Sequence, residues 1–203
     1  MKRWIAAAAV TLALGGAAAA QPVRDGAQGR VAVELAPESA GVAPGGVVHV
    51  ALRQQIDKGW HTYWRNAGDS GEPTTVTWTL PAGWSAGEIV WPTPKRQVAS
   101  ETIVNYGYDG EVYLPVPIQV PATARPGETV TLRAAARWLV CSDICIPEDA
   151  TLQVSLPVVA GTPGPHPRFG RAIAATLEAA PKPAGLTAAF ARAGEALKVV
   201  VAP

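Results

Sequence analysis

Apolar residues fall at alternate positions in a succession of short runs, and this period of two constrains the chain more than any other feature. In Thr75-Val76-Thr77-Trp78-Thr79-Leu80, the side chains of Val76, Trp78 and Leu80 all take one face. Residues 31–35 and 47–52 alternate in the same way. Residues 88–91, 111–120, 129–140 and 150–156 are further strand candidates, rich in Val, Thr and Trp. Pro44-Gly45-Gly46, Pro81-Ala82-Gly83, Asp109-Gly110 and Pro126-Gly127 separate them as turns. About seven half-buried strands at this spacing predict an all-β fold, an antiparallel sandwich. Pro115 and Pro117 lack the N–H a ladder needs, which puts the strand over 111–120 at an edge or a bulge.

The ends of the chain do not follow that pattern. Met1-Lys2-Arg3, an apolar run to about Leu14 and small residues through Ala20 describe a secretory signal peptide over 1–20. The apolar run is shorter than the roughly 20 residues that span a bilayer. Lys2 and Arg3 leave with the leader, so 17 basic residues become 15 against 16 acidic ones. A chain so balanced offers no basic face for nucleic acid or an anionic membrane. Residues 21–29 form an N-terminal extension, and 30–160 hold the sandwich, including every tyrosine and every tryptophan after Trp4. Gly161-Thr162-Pro163-Gly164-Pro165-His166-Pro167 reads as a linker. A short helix over about 168–180 follows, stopped by Pro181, so linker and helix occupy 161–185. Residues 186–203 read as a lone hairpin, the start of a truncated second β domain.

Export sets the redox conditions. A periplasm is oxidising, so Cys141 and Cys145, the only two cysteines, are expected to pair. Three uses for them stay open on the residues alone. A structural staple is the common fate of such a pair, but closing so short a loop contributes only about 2 kcal/mol. A redox pair fits better, because small closed loops favour labile disulfides. A metal site would need His61 as a third ligand, and soft copper sites commonly add thioethers, which are absent after Met1. No metal and no cofactor is therefore expected. Pro147 is expected to end strand pairing just past Cys145, and Glu148 to face solvent. Asp143 is either a solvated turn residue or a charge that raises a neighbouring thiol pKa. Tyr63, Tyr106 and Tyr108 read equally as core aromatics. His49 reads as a core or surface residue, and His166 as a solvated part of the linker.

Three segments taken together resemble a known family. They are Gly59-Trp60-His61-Thr62-Tyr63-Trp64-Arg65-Asn66-Ala67-Gly68-Asp69-Ser70-Gly71-Glu72-Pro73, Val104-Asn105-Tyr106-Gly107-Tyr108-Asp109-Gly110-Glu111-Val112, and Trp138-Leu139-Val140-Cys141-Ser142-Asp143-Ile144-Cys145-Ile146-Pro147-Glu148. Over residues 30–157 the chain is similar to the periplasmic N-terminal domain of the DsbD family, more closely to its ScsB-type branch, associated with suppression of copper sensitivity. The resemblance implies an immunoglobulin-like sandwich that relays electrons. Its donor would be a thioredoxin-like domain recharged through a downstream transmembrane region, and its acceptors thioredoxin-fold periplasmic proteins. It further implies Cys145 as the sulfur of the mixed disulfide and Cys141 as the resolving thiol. Tyr106-Gly107-Tyr108 would be a cap loop over the cysteines, with His61 and Tyr63 lining the site. The cysteines are separated by three residues where the best-known DsbD form has five, and the cap carries tyrosine where that form has phenylalanine. The competing function is a non-catalytic periplasmic binding module, in copper tolerance or as a chaperone, with a structural disulfide.

Overall fold

The computed structural model describes residues 22–24, 29–98, 102–182 and 184–202, so the expected signal peptide lies outside the described residues. Strand β1 (Val31–Pro37) pairs antiparallel with β2 (Val47–Ile56). On the other flank of β2 lies β8 (Glu111–Gln119), followed by the two-residue β5 (Ser85–Ala86). A second sheet has the order β10 (Cys145–Pro157), β9 (Thr129–Cys141), β4 (Thr75–Thr79). The inward side chains of the two sheets form one apolar cluster. It takes Val33 and Leu35 from β1, Val50 and Leu52 from β2, Leu114 from β8, and Leu132, Trp138 and Val140 from β9. Period-two burial of this kind is the hydrophobic driving force of a sandwich. A third sheet, β3 (Thr62–Gly68), β7 (Val104–Tyr108) and β6 (Lys95–Val98), extends the fold past the ends of β4 and β9.

Two proline expectations need correcting, each for a reason of ladder geometry. Strand β8 is not at the edge, because β5 follows it. The carbonyls of Pro115 and Pro117 accept from Val90 and Gly87, so both imides face away from β2 and cost its ladder nothing. The same geometry explains why residues 88–91 form no strand of their own, since the prolines across from them have no N–H to return. Pro147 does not end pairing either. It sits opposite Leu139 within β10, at a position whose N–H would point outward.

The linker is not free chain. Ala40 N–H donates to Gly164, His166 N–H to Glu38, and Ser39 bridges Pro165. His166 is correspondingly not a solvated residue. Its Nδ1 accepts from the backbone N–H groups of Arg168 and Phe169, standing in for a side-chain cap ahead of α1 (Gly170–Ala179). That helix begins later than expected and packs on the outer face of the first sheet. Phe169 and Ile173 cover Ala36 and Ala51 there, which is why β1 is buried on both faces. Arg168 forks onto the buried Glu34 carboxylate at 2.9 and 3.2 Å, and Arg53 pairs with the same carboxylate from β2. His49, on the same sheet, pairs with Glu38 at 2.7 Å. Of the expected extension, Val23 bridges Val33 of β1. Strands β11 (Thr187–Ala193) and β12 (Ala196–Ala202) form the expected hairpin, exposed along its whole length. Among the described residues, no helix is long and apolar enough to cross a membrane.

Candidate functional site

Cys141 and Cys145 close the β9–β10 hairpin as directly opposed residues, joined by a disulfide with a Cα–Cα separation of 4.1 Å. The ladder explains why they meet. Cys141 gives its N–H and takes its C=O bond with His61, both at 2.9 Å, on the side away from β10. It therefore faces Cys145 as a non-hydrogen-bonded pair, the register in which opposed side chains approach closest. Ser142 N–H bonds to the Ile144 carbonyl across the turn, leaving Asp143 exposed at its tip. The two sulfurs are not equivalent in surroundings. Cys141 is 2 % exposed, whereas Cys145 is open to solvent.

The motif from Gly59 to Pro73 builds the wall behind them. His61, Cys141 and Cys145 stand in a row across three strands, with Tyr63 two residues along β3. The Tyr63 ring is 1 % exposed and meets the His61 ring edge-on at 5.1 Å. Its hydroxyl lies 4.0 Å from Cys145 Sγ, which as a disulfide sulfur can only accept. Burial pushes the Tyr63 phenol up, so it stays a proton donor across neutral pH. Burial also holds His61 below its usual range against the pull of Asp109, and its Nε2 is buried without a hydrogen-bond partner among the described residues. The imidazole is thus a neutral wall of the site.

What holds Tyr63 in place is the loop after β3. Asp69 exchanges bonds with Val104, and Ser70 donates twice to the buried Asn105. Gly71 then lies flat on the Tyr63 ring at φ +98°, where any Cβ would overlap the ring carbons. Behind β3, Thr62 donates to Gln54, which donates to Thr74, a chain of three buried polar side chains.

Tyr106-Gly107-Tyr108, expected as a cap loop, lies within a strand. It is part of strand β7, which crosses beside β3 with Gly107 against Thr62, where a Cβ would overlap the Thr62 carbonyl oxygen. The Tyr108 ring is in the core cluster and its hydroxyl donates to the Pro92 carbonyl, so it is a packing residue. Tyr106 is 37 % exposed on the same strand. Glu148, expected in solvent, is 3 % exposed. Its carboxylate accepts from Arg30 N–H at 2.6 Å, Val31 N–H at 3.3 Å and Trp138 Nε1 at 3.1 Å, tying the start of β1 to the β9–β10 hairpin. Trp138 stands directly opposite Glu148 in the hairpin register. Among the described residues no group of three or more metal-ligating side chains is present.

The family of the thiol:disulfide interchange protein DsbD, N-terminal, matches residues 32–157. Among solved structures, the N-terminal periplasmic domain of ScsB from Proteus mirabilis superposes with a TM-score of 0.57 at 22 % identity. The match covers 78 % of this chain and 59 % of that one, so the chain spans under two thirds of that domain's length. No curated protein sequence matches. The shared fold is the immunoglobulin-like sandwich. With the family match covering well over half of its length and a cysteine pair closing the β9–β10 hairpin, this chain belongs to the DsbD N-terminal family of thiol–disulfide interchange domains.

Proposed function

We infer that the chain is a periplasmic relay, taking two electrons from the dithiol of a thioredoxin-like domain and passing them to oxidised thioredoxin-fold proteins. The observation that carries this reading is the asymmetry of the pair, one sulfur open and the other enclosed. In uptake, a partner thiolate attacks Cys145 Sγ. A bond forms between the two proteins, the bond to Cys141 breaks, and its electron pair leaves on Cys141, which takes a proton. The partner's second thiolate then attacks its own half of the mixed disulfide, and Cys145 leaves as a thiolate. Once Cys145 takes a proton from solvent, the partner ends as a disulfide and this chain as a dithiol, two electrons having crossed. In delivery, Cys145 attacks an oxidised partner and Cys141 resolves the mixed disulfide. The Tyr63 hydroxyl supports the Cys145 thiolate whenever that sulfur is the leaving group, because a hydrogen bond to the charged form favours it.

The reduction potential of the Cys141–Cys145 bond tests the reading. A relay requires a value within reach of thioredoxin-like dithiols, about −270 mV or higher. A value below about −300 mV is that of a structural disulfide and would leave the binding-module reading in its place. Cys141→Ala should trap a mixed disulfide through Cys145. Trapping only through Cys141 in the Cys145→Ala protein would reverse the assigned roles.

A further inference from the structure

On the outer face of the β10–β9–β4 sheet, a groove lies along the hairpin, beginning two residues short of each cysteine. Leu139 and Pro147 form its floor, one step in from Cys141 and Cys145 on the same strands and the same face. Arg137 and Asp149 are the next step, and Glu72 and Pro73 make one wall. Successive residues of an antiparallel strand point their N–H and C=O to alternate sides. Cys141 spends both on His61, so Leu139 also turns both away from β10, as does Arg137, which meets Thr75.

We propose that this groove receives the segment flanking the reactive cysteine of a thioredoxin-like partner, with an uncharged side chain on Leu139 and Pro147. The inference rests on the relay reading above. The occupant follows from continuity: a sulfur bonded to Cys145 brings its own neighbouring residues within a few ångströms, and Tyr63 with Gly71 already fills the side toward β3. The hairpin turn offers only the exposed Ser142, Asp143 and Ile144. The groove is a built surface two residues from the open sulfur along β10. A charge placed on its floor would be desolvated by any partner backbone laid over it.

The test compares two reductants on the purified oxidised protein, reduced thioredoxin as the protein probe and dithiothreitol as a small dithiol that needs no groove. Leu139→Glu should slow reduction by thioredoxin at least tenfold and leave the dithiothreitol rate within twofold of the parent protein. Leu139→Gln, which adds no charge, should give the same split at a smaller size. Gln153→Glu, exposed on the same face of β10 but remote from the groove, should change neither rate. Equal thioredoxin rates for the parent and Leu139→Glu would overturn the groove and leave the relay standing. An equal fall with both reductants would also overturn it, since it would mean a distorted disulfide rather than a lost docking surface. Failure of the parent protein to react with thioredoxin, while dithiothreitol still reduces it, would overturn the relay reading and the groove with it.

Discussion

At the residue scale, the site depends on a few side chains whose substitution separates chemistry from stability. Removing the Tyr63 hydroxyl takes a hydrogen-bond donor from the Cys145 sulfur while leaving the buried ring to fill its place. Tyr63→Phe is expected to raise the Cys145 thiol pKa and to slow exchange by a few-fold, about 1 kcal/mol, with little change in folding. A thiol titration followed by ultraviolet absorbance checks the direction. Glu148 behaves in the opposite way. Glu148→Ala strands three donors in a closed interior, and a loss of about 3 kcal/mol in urea unfolding is expected, with the disulfide chemistry retained in the folded fraction. An unfolding midpoint unchanged by this substitution would mean that the carboxylate does not tie β1 to the hairpin. Glu148 was illegible in the sequence because Ile146-Pro147-Glu148 reads as a turn exit, and only the register that carries Pro147 through the ladder turns the carboxylate inward. The cysteine pair itself was legible from count and compartment alone.

At the scale of elements, alternation revealed the strands that face the core and missed those that face the site. Residues 31–35, 75–79 and 129–140 lie in β1, β4 and β9 because one side of each meets apolar neighbours. Strands β3, β6 and β7 show no such rhythm. Tyr63-Trp64-Arg65-Asn66 has its buried residues at one end, and Gly107 interrupts β7 where only a hydrogen fits against Thr62. These strands are held by pairing and by the Gly68-to-Pro73 loop rather than by a two-sided core, so a hydrophobicity pattern has little to register there. The helix was legible but its docking was not, since Phe169 and Ile173 gave no hint that β1 needed a second cover. Ile173 is fully buried, and Ile173→Ala is expected to cost about 3 kcal/mol. Hydrogen exchange should show α1 losing protection ahead of β9 and β10. Uniform loss across the chain would instead make the helix part of a single cooperative unit with the sandwich.

For the whole molecule, acid is the revealing variable. Burial holds the imidazoles of His61 and His166 below their usual value, and Arg168 lowers His166 further. The unfolded chain therefore binds more protons than the folded one from about pH 6.5 down to the folded values, and stability rises with pH through that window. Above it both forms are neutral and the contribution is flat. The urea midpoint is expected to fall between pH 7.5 and 5, and the paired change His61→Gln and His166→Gln should reduce the fall. A midpoint independent of pH over that range would contradict the burial of both rings. The exposed β11–β12 hairpin contributes no side chain to the core cluster, so a chain ending at residue 182 should unfold at the same midpoint as the longer one.

The clasp between His61 and Cys141 also bears on timing. Because the N–H and C=O of Cys141 are both bonded to His61, its backbone would hold its place if, as proposed, Cys145 were carried off by a partner. A nucleophile fixed so close acts at an effective concentration on the order of 10⁵ M or more, far beyond any free thiol in solution. In the relay proposed above, the intermolecular bond would be a fleeting species, and the protein would let go of a partner almost as soon as it had taken hold.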